Sequence, residues 1–365
     1  YNIGNYISIV NNPSIVAKKP VVNYQTTVKK VSNIGQVYND PFKLSDKGKR
    51  YFEQGKKYMN QYNYSAAIAE FNKVLTENPD YIDAHINIGM SYEFSDNYQK
   101  AMESYNRAVS IIPTDNLALY NRGVLYYKQG LYDAAINDFS GALKSSPEHL
   151  DSNIYMGMTY RKLKNYDRAL LYFDKAISIN PSDYWGYFEK GNVLMDLKDY
   201  NNAIIEYDNA ILRKSNYTEA YLNKGLSYEY LNNYPKALEN YNRSISISPN
   251  YFLGYYNRGI LYFNQKNYTL AIADFKKAIS INPNHPDVIG YLGDIYYNQG
   301  NYYEAIKQYG QALKINPKDK FSLENRGESY LLIGNSYLGC QDLKDACSLG
   351  QCQKYDEAKN TGKCK

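Results

Sequence analysis

The sequence predicts an all-α fold, a solenoid of about nine 34-residue helix-turn-helix units. Three observations carry that prediction. Nine glycines stand 34 residues apart without a slip, at Gly55, Gly89, Gly123, Gly157, Gly191, Gly225, Gly259, Gly293 and Gly327. Twelve residues after eight of them comes an alanine (Ala67, Ala101, Ala135, Ala169, Ala203, Ala237, Ala271, Ala305), and four residues later an aromatic (Phe71, Tyr105, Phe139, Phe173, Tyr207, Tyr241, Phe275, Tyr309). A proline then closes most units, at Pro79, Pro113, Pro147, Pro181, Pro249, Pro283 and Pro317, where it cannot continue a helix. A fixed period of this size means one supersecondary unit stacked on copies of itself, each copy burying the face that its neighbour leaves open.

Each unit reads as two antiparallel helices. The glycine and alanine lack bulk where the helices approach closely, and the aromatic fills the space beside them. Tyrosine stands nine residues after eight of the glycines (Tyr64, Tyr98, Tyr132, Tyr166, Tyr200, Tyr234, Tyr268, Tyr302). Together these positions resemble the tetratricopeptide repeat, and the resemblance implies that the solenoid is a right-handed superhelix. Units start near residues 48, 82, 116, 150, 184, 218, 252, 286 and 320, so the sequence divides into an arm (1–47), a solenoid (48–350) and a cysteine-containing cap (351–365). Ser215 replaces a proline, and the ninth unit carries Ser336 and Gly339 where tyrosine and alanine are expected, the mark of an altered terminal unit.

Composition agrees. A chain of 365 residues would ordinarily hold two globular domains, but a solenoid grows in one dimension around no single core. The net charge of +5 is mild and dispersed, which speaks against a nucleic-acid partner. No apolar run reaches the roughly 18 residues of a membrane span.

Many charges fall into step with the register. The residue before the glycine is basic where the residue sixteen further on is acidic: Arg122 with Asp138, Lys190 with Glu206, Arg258 with Asp274, Arg326 with Asp342. Where the first is apolar (Ile88, Met156, Leu292) the second is uncharged (Ser104, Tyr172, Gln308), while Lys224 with Asn240 and Gln54 with Glu70 depart from the rule. These pairs are expected to be structural, because a partly buried arginine needs a carboxylate beside it.

The resemblance implies a partner-binding concave surface built from residues three before, one after and four after each glycine. Those positions nominate Phe52, Ile86, Met90, Tyr120, Val124, Tyr127, Ile154, Met158, Phe188, Leu222, Leu226, Tyr256, Ile260 and Phe263. Family members that clamp a terminal carboxylate place asparagine and lysine at several of these positions. This chain keeps Asn87, Asn121, Asn223, Asn257 and Asn325 two before the glycine, yet is otherwise short of cations there. An apolar trough suits an apolar extended segment; the competing reading is that these side chains pack between adjacent repeats.

Such a segment lies in the chain itself. The arm carries Ile3, Ile7, Ile9, Val10, Ile15, Val16, Val21 and Val22 among asparagine, proline and lysine with no helical period. It cannot bury enough apolar surface alone, so its order depends on docking, either in its own groove or in a neighbour's. The neighbour reading is preferred, and that contact propagates into a filament unless it closes into a ring.

All four cysteines fall near the end of the chain: Cys340, Cys347, Cys352 and Cys364. Four cysteines allow three pairings. Cys340 and Cys347 lie two turns apart on one predicted helix, about 10 Å along its axis, too far for a direct bond. If residues 353–360 fold back as a short helix, Cys364 returns to Cys340 and leaves Cys347 with Cys352. No CxxC or histidine spacing supports a metal. A disulfide-bonded cap points to export, to the cell surface, the extracellular space or the periplasm. The chain begins at Tyr1 rather than methionine, consistent with a removed export signal, although a trimmed chain would look the same. Sequons at Asn63, Asn216, Asn242 and Asn267 are candidate glycosylation sites, set against chance in an asparagine-rich chain.

An enzyme is the least favoured class. His85, His149 and His285 sit in different units, the register leaves no insertion for a catalytic loop, and no nucleotide, zinc-protease or nucleophile-elbow motif occurs. No cofactor is expected. Two readings remain: a scaffold that self-assembles through its arm, and an exported adaptor whose apolar groove takes an extended segment of another protein.

Overall fold

The computed structural model describes residues 43–364, and all the secondary structure among them is helical. Two compact units divide between Pro181 and Ser182. The first holds α1 (Asp46–Asn60), α2 (Tyr64–Glu77), α3 (Ile82–Phe94), α4 (Tyr98–Ile111), α5 (Asn116–Lys128), α6 (Tyr132–Ser145), α7 (Leu150–Lys162) and α8 (Tyr166–Ile179). The second holds α9 (Tyr184–Asp196), α10 (Tyr200–Arg213), α11 (Thr218–Tyr230), α12 (Tyr234–Ile247), α13 (Phe252–Asn264), α14 (Tyr268–Ile281), α15 (Pro286–Asn298), α16 (Tyr302–Ile315), α17 (Lys320–Leu332), α18 (Ser336–Ser348) and α19 (Gln353–Asn360). Odd-numbered helices up to α17 are the first helices of the repeats and even-numbered ones the second. The arm residues Ile3, Ile7, Ile9, Val10, Ile15, Val16, Val21 and Val22 lie outside the described residues.

The glycine register has a direct steric cause. A Cβ placed on Gly55, Gly89, Gly123, Gly157, Gly191, Gly225, Gly259 or Gly293 would stand 2.5–2.8 Å from the aromatic ring sixteen residues later, well inside van der Waals contact. Those eight rings are at most 1% exposed, and the eight register alanines are fully buried. Each repeat therefore hangs on one ring pressed against bare backbone, with burial of the ring contributing roughly 1.5–3 kcal/mol. In the ninth repeat Gly339 and Leu343 replace the alanine and the ring. There the two backbones meet directly: a Cβ on Gly327 would stand 2.9 Å from the Gly339 carbonyl oxygen.

Turn chemistry is as regular as packing. Every first helix ends in one left-handed residue: Tyr62, Asp96, Gly130, Lys164, Lys198, Asn232, Lys266, Gly300 or Gly334. The next residue caps the second helix, and Asn63, Asn97, Asn165, Asp199, Asn233, Asn267, Asn301 and Asn335 each accept a backbone N–H three residues on. Second helices stop because the residue before each proline is held extended, as at Asn78 (ψ 94°) and Ile112 (ψ 95°). Lys214 adopts the same geometry before Ser215, so that repeat keeps its turn without a proline. A lysine in the left-handed region is strained where glycine is not. Lys164→Gly is therefore expected to raise stability by roughly 0.5–1 kcal/mol, after the chain-entropy loss glycine brings. A rise in the urea midpoint with an unchanged slope would show it.

Successive repeats join chiefly where the second helix of one packs on the first helix of the next, and more lightly between first helices. Within the first unit α1 meets α3, α3 meets α5 and α5 meets α7; within the second, α9 meets α11, α11 meets α13 and α15 meets α17. The last repeat is closed by α19, which packs on α18. Leu343, Ala358 and Cys364 are buried together there, with Leu331 and Tyr355 against them. Cys340 is bonded to Cys364 and Cys347 to Cys352, which leaves no free cysteine.

Candidate functional site

The first-helix face is where the resemblance places partner binding, and most of its nominated side chains turn out to be inter-repeat packing. Ile86, Tyr120, Val124, Ile154 and Met158 are buried in the first unit, and Phe188, Leu222 and Tyr256 in the second. Phe188 shows why. Its ring lies 5.8 Å from Tyr207 of its own repeat and 4.8 Å from Tyr217 of the next, so it cements two repeats together. Phe52 does the same between Phe71 and Tyr81, although it stays half-buried. The remaining half-buried members are Met90 and Tyr127 in the first unit and Leu226, Ile260 and Phe263 in the second.

Polar groups on this face have an internal task that the sequence reading missed. Four of the buried register rings are tyrosines, and a phenol shut away from water must find an acceptor. Tyr105 donates to Glu93 Oε2 (2.8 Å), Tyr207 to Asn192 Oδ1 (2.9 Å), Tyr241 to Glu229 Oε2 (2.7 Å) and Tyr309 to Asp294 Oδ1 (2.6 Å). The acceptor stands one residue after the register glycine in two repeats and four after it in the other two. Where the ring is phenylalanine those positions hold no carboxylate or amide: Lys56 and Met59, Val124 and Tyr127, Met158 and Arg161, Ile260 and Phe263. That correlation was present in the sequence.

In two cases the lock also reaches the next repeat. Asn223 donates Nδ2 to Asn192 Oδ1 at 2.8 Å, and Asn325 donates to Asp294 Oδ1 at 2.9 Å. Asn223 and Asn325, two before their glycines, are thus spent internally, whereas Asn257 Nδ2 is buried without a hydrogen-bond partner among the described residues. Asn87 and Asn121 likewise donate to the carbonyls of Asp83 and Leu117. Burial pushes the Asp294 carboxyl up to about 6, against the lowering effect of its two donors. Burial also raises Glu229, again opposed by its tyrosine.

The sixteen-residue charge pairs all form. Arg122 grips Asp138 and Arg326 grips Asp342, each at 2.7 Å; Arg258 holds Asp274 at 2.6 Å and Lys190 holds Glu206 at 3.0 Å. Lys224, which has Asn240 rather than a carboxylate sixteen residues on, turns back to Asp208 of the preceding repeat at 2.5 Å. At the far end, Glu324 and Glu328 are covered by the cap, accepting from Gln351 (3.3 Å) and Lys354 (2.8 Å).

All four sequon asparagines are exposed. Asn63 and Asn267 cap helices through Oδ1, Asn216 lies in a turn, and Asn242 accepts from Arg258. Among the described residues no group of three histidine, cysteine or acidic side chains could hold a metal ion, and no helix is long and apolar enough to cross a membrane.

Sequence models of the tetratricopeptide repeat match residues 95–130, 120–184, 186–217, 218–251, 252–285, 275–307 and 293–334. The chain belongs to the tetratricopeptide repeat family. No curated protein matches it. Among solved structures it is similar to YrrB, described as a tetratricopeptide repeat protein with an unusual peptide-binding site, at 25% identity over 52% of this chain and 97% of that one, with a TM-score of 0.42. It is similar also to pilF of Pseudomonas aeruginosa (19% identity, 58% of this chain and 96% of that one, TM-score 0.52). A third is human IFIT1, a dimer with PPP-AAAA (19%, 83% and 73%, TM-score 0.53). The last two share the repeat fold and nothing more specific. Tetratricopeptide repeats are in general interaction scaffolds rather than catalysts.

Proposed function

We propose that this protein is a non-enzymatic, exported interaction scaffold that assembles by receiving an apolar extended segment on its first-helix face, with the arm of a neighbouring copy as that segment. The observation that carries the reading is what the face leaves available. Glu93, Asn192, Glu229 and Asp294 accept from tyrosine hydroxyls, Asn87 and Asn121 donate to backbone carbonyls, Lys56 is paired with Glu53 and Lys128 with Glu93, and half-buried apolar side chains remain: Met90, Tyr127, Leu226, Ile260 and Phe263. Such a surface rewards apolar contact and gives a terminal carboxylate little to bind. The isoleucines and valines of the arm have the matching chemistry, and a contact from one copy to the next propagates. Export is supported by a cap in which every cysteine is bonded, and exposed sequons are compatible with it.

Removal of residues 1–44 is the test. Light scattering on the eluting protein is expected to give multiples of the chain mass, 42.1 kDa, for the full chain and a single copy for the shortened one. Equal copy numbers would end the self-assembly reading. Binding of a labelled partner segment to the shortened protein would then favour the adaptor reading.

A further inference from the structure

The cation before the register glycine also reaches backward. Arg122 Nη1 donates to Asn106 Oδ1 at 3.0 Å, Arg258 Nη1 to Asn242 Oδ1, and Lys224 Nζ to Asp208 Oδ1 at 2.5 Å. In each case the acceptor is sixteen residues earlier, on the second helix of the preceding repeat. It fills a slot between that helix and the two helices of the cation's own repeat. Arg326 occupies the equivalent place. Its Nε and Nη2 hold Asp342 at 2.7 and 2.8 Å. Sixteen residues earlier, however, stands Gly310, which has no side chain to offer.

At that point the surface opens into a pocket of 640 Å³ between α16, α17 and α18. Arg326 lines it, with Nη1 3.7 Å from where a Cβ on Gly310 would be. Ile306, Leu313 and Leu323 supply apolar wall. Lys314 and Arg326 face Asp342 and Asp345, and Lys307, also on the wall, is paired with Glu304 at 2.9 Å, so the pocket carries no surplus positive charge and disfavours a ligand with more than one negative charge. We propose that it is a binding site for a small monocarboxylate with an apolar body, whose carboxylate accepts from Arg326 Nη1 in the slot that asparagine or aspartate fills elsewhere. A guanidinium already fixed by a bidentate partner presents its remaining donor pre-oriented, which suits carboxylate geometry. The volume is in the range of small-ligand pockets.

The probe is sodium benzoate, titrated into the isotopically labelled full chain while the guanidinium N–H signals are followed. Saturable shifts with a Kd on the order of 1 mM are expected, with inorganic phosphate at least tenfold weaker. Gly310→Asn supplies the missing side chain in the manner of Asn106 and Asn242. Because the added Cβ meets only Arg326 Nη1, at an ordinary contact distance, the variant should fold, melt no lower than the parent, and lose benzoate binding at least tenfold. Gly310→Asp, copying Asp208, should do the same and stands in if the first variant does not fold. Absence of saturation, phosphate binding as tight as benzoate, or equal benzoate binding by the parent and a folded Gly310 variant would each overturn the proposal.

Discussion

Replacing Phe173 by alanine is expected to lower the free energy of unfolding by about 3–5 kcal/mol, the range for removing a fully buried ring. A more searching result concerns its partner. Gly157→Ala alone places a methyl group 2.7 Å from Cε1 of the ring and should cost roughly 1–3 kcal/mol through overpacking. Combined with Phe173→Ala, the same methyl enters the space the ring has vacated. The double variant should then be clearly more stable than the sum of the two losses, with a coupling of about 1 kcal/mol or more. Urea unfolding of the four proteins in the cycle measures it. Strict additivity would mean that the glycine is kept for some reason other than the ring. The ninth repeat supplies the contrast: the added group on Gly327 would meet the Gly339 carbonyl as closely as it meets Leu343, so trimming Leu343 should not rescue Gly327→Ala.

This packing was readable from the chain because it is written in spacing. Gly157, Ala169 and Phe173 hold fixed positions along two helices, and so do Arg122 and Asp138; a period carries both across nine units. What the period could not carry was the cover supplied by the neighbouring repeat. Phe188 and Ile154 sit at positions that resemblance assigns to a binding surface, but first helices meet one another within each unit and these side chains are buried. Met90 and Ile260, one residue after their glycines, keep part of their surface. Register gives a residue's phase on its helix, not how much of that phase the next helix occupies. Asn192 and Asp294 were passed over for a related reason. Only the identity of the ring fifteen residues on, tyrosine rather than phenylalanine, shows that each answers a buried hydroxyl. Gly310 was silent because an absent side chain leaves no mark until the pocket beside it is seen.

Asp294 yields the second large effect. Its carboxyl has an ordinary value near 3.8 and is pushed up to about 6 by burial, although Tyr309 and Asn325 both donate to it. As pH rises from about 4 to about 6 the unfolded chain ionises this group while the folded chain still holds the proton, so the folded state loses stability across that window. Above it the penalty is complete, and a shift of about two pH units corresponds to at most about 3 kcal/mol. The equivalent residue three repeats earlier within the same unit shows the remedy. Asn192 accepts from Tyr207 and Asn223 in the same manner without a charge to desolvate, and donates Nδ2 to Glu189 at 3.2 Å. Asp294→Asn should therefore leave the parent almost unchanged near pH 4 and stabilise it by up to about 3 kcal/mol at pH 8, with the difference between the two proteins growing through the window near 5. Taking the difference cancels every other titrating group. A stability gap that is flat with pH would show that Asp294 folds as a normally ionised carboxylate. A gap of the opposite sign at pH 8 would show that its charge strengthens the hydrogen bonds from Tyr309 and Asn325 by more than burial costs, and that the lock joining these two repeats is ionic rather than neutral.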